Sequence, residues 1–207
     1  MVSYEVTLGL SLVGCFMIYD TLLLENMVQW QVDHHIWGVF LQPHMCLLFM
    51  AAAIAETKRV PFDVPEGESE LAAGYFTEYS GMKFGMFMMG EYIEMVVLSA
   101  LLTVLFFGGY DMPFLFPDGL RLSFGGWQIA DVHLALPHLA VVVLSVVNFI
   151  IKVVVLCWFQ LMIRWSLPRF RYDQIMSLCW RYMLPISIVN VFVTGMGILL
   201  YQRTFGG

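Results

Sequence analysis

The stretch His138-Leu139-Ala140-Val141-Val142-Val143-Leu144-Ser145-Val146-Val147-Asn148-Phe149-Ile150-Ile151-Lys152-Val153-Val154-Val155-Leu156-Cys157-Trp158-Phe159-Gln160-Leu161-Met162-Ile163 decides the fold class. Its 26 residues carry a single formal charge, Lys152. About 20 helical residues at 1.5 Å each cross a bilayer core of ~30 Å, and the run does not alternate as a barrel strand must. Four other stretches, 3–23, 36–55, 82–108 and 183–202, share this length and character. The whole chain agrees. Of 207 residues, 60% are apolar and 13% charged, and mean hydropathy is +0.78; a soluble domain carries about 25% charged residues. A soluble globule is excluded, and so is a disordered chain, which needs low hydropathy. The expectation is an all-α polytopic membrane protein, one membrane domain over 1–207 with five transmembrane helices embedded in the lipid bilayer.

Net charge is −6, which argues against nucleic acid as a partner. Bases set the orientation. Lys58, Arg59 and Lys83 lie at the loop between the second and third spans, and Arg164, Arg169, Arg171 and Arg181 at the loop between the fourth and fifth. Arg121 and Arg203 fall on the other side. Seven against two places the 56–81 and 164–182 loops in the cytoplasm, or on the equivalent matrix side. Segments 24–35 and 109–137 then lie outside, the second reading as turns and surface segments. Cys15, Cys46, Cys157 and Cys179 form no CxxC pair and read as buried small hydrophobes. His34, His35, His44, His133 and His138 lack metal-ligand spacing, so interfacial or core histidines are expected. No residue is assigned a metal-ligating or catalytic role.

Two features exceed what an anchor needs. The loop from Glu56 to Glu78 holds six acids and two bases in a chain otherwise poor in charge. Pro61 and Pro65 interrupt any helix there, and Asp63 can cap a short helix beginning near Pro65. The acids alternate with Val60, Phe62, Val64, Leu71, Tyr75, Phe76 and Tyr79, so the loop is expected to fold inward in part. The second feature is carboxylates within spans: Glu5, Asp20, Glu91 and Glu94. A mid-membrane charge costs ~2.5 kcal/mol or more. Glu91 and Glu94, three apart, share a helix face, and with Glu78 they form a ladder from the loop into the membrane. Asp20, near its span end, reads as a cap. In the 168–182 segment Tyr172, Ile175, Met176, Cys179 and Met183 make an apolar stripe opposite Arg171, Gln174, Ser177 and Arg181. It suits an interfacial or docking helix.

The run Ala55-Glu56-Thr57-Lys58-Arg59-Val60-Pro61-Phe62-Asp63, then Glu66-Gly67-Glu68-Ser69-Glu70-Leu71 and Glu78-Tyr79-Ser80-Gly81-Met82-Lys83-Phe84, resembles the signature loop of one family. Ser3-Tyr4-Glu5, Gly90-Glu91-Tyr92 and Ser166-Leu167-Pro168-Arg169-Phe170-Arg171-Tyr172-Asp173-Gln174 match as well. That family is the quinone-site membrane subunit of respiratory complex I, the NADH dehydrogenase subunit 1 of mitochondria and its bacterial NADH-quinone oxidoreductase counterpart. Members have eight transmembrane helices, and this chain resembles the last five. The match departs at Lys58, Val60 and Phe76.

The resemblance implies a part in proton-translocating NADH:quinone oxidoreductase, not catalytic alone. Arg59, Phe62, Asp63, Glu66 and Tyr79 would line the quinone chamber. Glu5, Glu56, Glu68, Glu78 and Glu91 would form the path that couples quinone reduction to the membrane arm, joined by Glu94 on helical spacing. Quinone would be the substrate, with nothing bound covalently. Iron–sulfur clusters and FMN would sit on partner subunits. Expected partners are the hydrophilic quinone-site and iron–sulfur subunits, the membrane-arm subunits, and a separate chain supplying the N-terminal helices. The expected place is the bacterial inner membrane, with the mitochondrial inner membrane as the alternative. Competing readings are a subunit of a related membrane-bound hydrogenase, an independent proton or ion transporter, and a structural anchor.

Overall fold

The computed structural model describes residues 2–63, 77–111, 115–116, 119–124, 127–134 and 137–205. The described residues form eight α-helices, in chain order: α1 Val2–Tyr19, α2 Leu24–His34, α3 Gly38–Leu41, α4 Pro43–Glu56, α5 Met82–Phe106, α6 His138–Ser166, α7 Tyr172–Ser177 and α8 Leu184–Phe205. A π-helical segment, Leu178–Met183, joins α7 to α8 without a break. The membrane-embedded helical class is as expected. Among the described residues, three helical stretches are long and apolar enough to cross a bilayer: α5, α6 and Tyr172–Thr204. A fourth is reached if α1 and α2, bent by 55°, count as one.

The stretch 36–55 divides instead of running through. Pro43 disfavours helical geometry at the residue before it, and Gln42 sits at φ −136°, ψ 69°. Pro43 then opens α4, where a missing N–H costs nothing. α4 has 14 residues, about 21 Å, less than the ~30 Å core. Before it, the one-turn α3 packs where α1 meets α5. There Tyr19 Oη donates to the Leu105 carbonyl at 2.7 Å, and a Cβ on Gly38 would lie 2.3 Å from that hydroxyl, so no larger residue fits.

Segment 24–35, expected as an outer connection, contains α2, whose buried side is Met27, Val28 and Gln31. Gln31 ties it down, donating to the Val104 carbonyl at 3.0 Å and accepting from Gly38 N–H at 2.9 Å. Segment 109–137, read from sequence as turns, includes three antiparallel strands, β1 Leu115–Phe116, β2 Gly119–Phe124 and β3 Trp127–Leu134, paired in that order. Alternation in Leu120-Arg121-Leu122-Ser123-Phe124 is the period-2 signal for β2.

The packed interior has two parts. One unites Cys15 and Tyr19 of α1, Met27 of α2, Met45, Cys46 and Phe49 of α4, and Leu102, Leu105 and Phe106 of α5. The other joins Ala52, Ile54 and Ala55 of α4 to Phe62, Ile175, Cys179 and Met183. Three members of the stripe read in 168–182 are thus buried, while Tyr172 is exposed. The stripe docks on α4 as the first turns of a continuous final helix. This second cluster brings the two base-rich loops to one end of the bundle.

Candidate functional site

The chain leaving α4 folds back at once. Thr57 Oγ1 donates to the Ile54 carbonyl at 3.0 Å, and its N–H to Ala53 at 3.1 Å. Lys58 turns through a left-handed φ of 52°. Phe62 N–H then closes on the Arg59 carbonyl at 2.7 Å. The turn is pinned from the other loop: Phe170 N–H donates to Pro61 O at 3.0 Å, and the Phe62 and Phe170 rings meet edge to face at 5.6 Å. Thr57, Pro61, Phe62 and Asp63 are buried, Asp63 to 2% exposure. The inward folding expected for this loop therefore holds over 57–63.

Arg59 is the centre of the site. It is 7% exposed, and its Nη2 lies 3.2 Å from Glu91 Oε2, a carboxylate with 12% exposure on α5. The guanidinium stands 4.2 Å from the Tyr92 ring centroid, a cation–π seat. Nε and Nη1 are buried and meet no hydrogen-bond partner among the described residues. An arginine presents five N–H donors in a planar fork, and unpaired buried donors cost about 1–3 kcal/mol each. The site therefore holds a fixed cation whose remaining donors are poised for an acceptor oxygen.

Further acids connect to it through Glu91. Glu56 interacts electrostatically with Glu5, Tyr4 and Lys58. Glu94 interacts with Glu56, Lys58 and Glu91. Four of the acids singled out from sequence, Glu5, Glu56, Glu91 and Glu94, thus form a connected chain that reaches Arg59 through Glu91. Glu56 Oε2 is buried without a hydrogen-bond partner among the described residues. Burial holds the Glu56 carboxyl above its ordinary range, Glu5 raises it further, and Lys58 opposes both.

Two other expected residues lie at the surface. Glu78 and Tyr79 are exposed; the Tyr79 ring rests 5.0 Å from that of Phe87. Glu66 and Glu68, and the short helix expected after Pro65, lie outside the described residues. Two contributors were not singled out as site residues. Tyr92 lies beneath Arg59 and also interacts with Arg164 at the end of α6. Phe170 holds Phe62. The signal for Tyr92 was adjacency to an intramembrane carboxylate; for Phe170, an aromatic between two arginines. Among the described residues no group of three His, Cys, Asp or Glu side chains is placed to hold a metal ion.

A family model described as NADH dehydrogenase matches residues 1–195. The chain belongs to the NADH dehydrogenase family. Curated relatives in this family include the NADH-quinone oxidoreductase H-subunit of Flavobacterium psychrophilum, 42% identical over 202 residues, covering 98% of this chain and 54% of the relative. The corresponding protein of Bdellovibrio bacteriovorus is 42% identical over 93% of this chain and 53% of its own length. NADH-quinone oxidoreductase subunit 8 of Rhodothermus marinus is 39% identical over 98% and 57%. The chain spans about half the length of the curated relatives it matches.

Proposed function

We propose that this chain forms part of the membrane subunit of proton-translocating NADH:quinone oxidoreductase, in the inner membrane of a bacterial cell with its base-rich loops facing the cytoplasm. In this reading 1–207 is one membrane domain. Arg59, Phe62, Asp63, Glu66 and Tyr79 line a quinone chamber, and Glu5, Glu56, Glu68, Glu78, Glu91 and Glu94 carry the coupling. Quinone is the substrate. Electrons reach it from FMN and iron–sulfur clusters on hydrophilic partner subunits. Membrane-arm subunits receive the coupled change.

The observation that carries this reading is the Arg59 guanidinium, buried between Glu91 and Tyr92 with two donor nitrogens unpartnered. A quinone oxygen is an acceptor, and its demand for donors rises as reduction gives it negative charge. Charge-assisted hydrogen bonds are about twice as strong as neutral ones, so the reduced headgroup competes with Glu91 for Arg59. Releasing Glu91 leaves it beside Glu94 and Glu56 without its cation, which favours proton uptake within the group. Two unit charges 4 Å apart interact by about 4 kcal/mol at an effective dielectric of 20. Moving a proton against 100 mV costs ~2.3 kcal/mol. Rearranging one close charge pair is therefore large enough to matter for translocation.

Arg59→Met in the assembled complex tests this. NADH oxidation linked to quinone should fall about ten-fold, equivalent to ~1.4 kcal/mol. Oxidation by a soluble acceptor drawing electrons before the quinone should persist, and Arg59→Lys should recover part of the loss. Unimpaired quinone turnover in Arg59→Met would refute the role of Arg59.

A further inference from the structure

Arg59 is held by two neighbours on α5, and each holds it differently. Glu91 takes one N–H of the fork, at Nη2, over 3.2 Å. Tyr92 receives the charge itself: the guanidinium carbon stands 4.2 Å from the ring centroid, well inside the ~6 Å over which an aromatic face attracts a cation. Successive residues of a helix point about 100° apart, so the carboxylate and the ring meet the guanidinium from different sides. What remains is Nε and Nη1, buried and unpartnered among the described residues.

The two contacts answer differently to an incoming acceptor. The bond to Glu91 is open to exchange, because a new oxygen competes with the carboxylate for the same donors. The ring face competes for none of them: its attraction for a cation uses charge and no hydrogen. That contact therefore persists while the acceptors change. A ring can serve in this way only if it is itself fixed, and Tyr92 is 45% exposed, so helix packing alone does not fix it. Its hydroxyl meets the side chains of both Arg59 and Arg164. A guanidinium only donates and a phenol oxygen accepts, so Arg164, in the last turn of α6, tethers the outer edge of the ring. The turn that carries Arg59 is anchored separately, through Phe170 on Pro61 and Phe62.

We propose that Tyr92 is a positioning residue of the quinone site: its ring keeps the Arg59 guanidinium in place while the arginine changes acceptor from Glu91 to the quinone oxygen. The inference rests on the reading of Arg59 given above. Tyr92 touches the cation and acts on the substrate only through it, and no bond forms or breaks at the phenol. An arginine side chain has many rotamers to lose on being fixed. Without the ring, a guanidinium released by Glu91 regains that freedom, and every encounter with quinone must order it again. The ring is the working part and the hydroxyl is its tether, so removing the ring has the larger effect.

The test is quinone-linked NADH oxidation by the assembled complex, normalised to oxidation by the soluble acceptor so that differences in assembly cancel. Tyr92→Leu should lose about three- to ten-fold, the range of a partly desolvated cation–π contact, and Tyr92→Phe, which keeps the ring, should lose less. In an Arg59→Met background Tyr92→Leu should add nothing, because the ring has no cation to hold; residues in contact that work as a unit are non-additive. A tyrosine that only supports the fold would cost the same in both backgrounds. If Tyr92→Leu does not accumulate, Tyr92→Phe with one, two and then three ring fluorines keeps the shape while draining the negative face, and turnover should fall stepwise. Wild-type turnover in Tyr92→Leu, equal losses in the two backgrounds, or a flat fluorine series overturns the proposal. Any of these beside an impaired Arg59→Met removes Tyr92 alone and leaves the role of Arg59 standing; an unimpaired Arg59→Met removes both.

Discussion

Lys152 and Arg59 are both cations drawn into an apolar frame, and their surroundings differ in one respect. Lys152, in the middle of α6, donates to the carbonyls of Phe107, Gly109 and Asp111. It also lies 4.7 Å from the Trp37 ring centroid. An ammonium has three hydrogens, and three carbonyls just beyond the C-terminus of α5 take them. Asn148 and Trp37 complete the lock, donating to the Asp111 carbonyl at 2.9 Å and to its carboxylate at 3.1 Å. Arg59 has five donors, one carboxylate and one ring. A satisfied cation fixes two helices; an unsatisfied one is available to a ligand. The contrast separates scaffold from site without reference to any relative.

The comparison is exposed to experiment most sharply at Lys152. Lys152→Met strips the partner from three carbonyls, at roughly 1 kcal/mol or more each, so a loss of about 3 kcal/mol is expected. It should appear as a sharp fall in folded protein recovered from membranes and in thermal midpoint. A midpoint equal to the wild type would end the reading of Lys152 as a lock.

A smaller effect is expected at Glu78, exposed on this chain and assigned above to the coupling path. Glu78→Gln should lower coupled quinone turnover roughly two- to ten-fold, or ~0.4–1.4 kcal/mol, with assembly intact; full coupled turnover would remove Glu78 from the path.

The smallest effect concerns Glu56. Its carboxyl is held above the ordinary value of about 4.3, chiefly by burial and then by Glu5. An acid with a raised folded pKa contributes stability that is fully present below the ordinary value and is lost as pH rises through the folded one. Thermal midpoints should therefore decline from about pH 4 upward, and more steeply in the wild type than in Glu56→Gln. Equal slopes would show that Glu56 is solvated like a surface acid.

Much of this was legible in the sequence because its causes are local. Long apolar runs have no other solution than membrane helices, whereas the break at Pro43 inside 36–55 went unread. Prolines and alternating aromatics marked a loop that folds inward, and the structure bears this out from Thr57 to Asp63. What escaped depends on contacts between distant segments. Lys152 was visible as a charge within a span, but its partners lie some 40 residues away and are backbone atoms without a sequence signature. α2 was hidden by Glu25, Gln29 and Asp33, which lower its hydropathy, while its buried Met27, Val28 and Gln31 are held by tertiary contacts. His44 looked like any core histidine until Asn190, 146 positions away, was found against it.

The brevity of α4 has a mechanical corollary. Gln42 and His44 are fastened to α8 at one tip, and the Thr57–Asp63 turn with its arginine hangs from the other. An α-helix barely stretches or compresses along its axis, so α4 acts as a strut. An axial slip of α4 therefore carries the turn that bears the guanidinium and the imidazole beside Asn190 in the same direction.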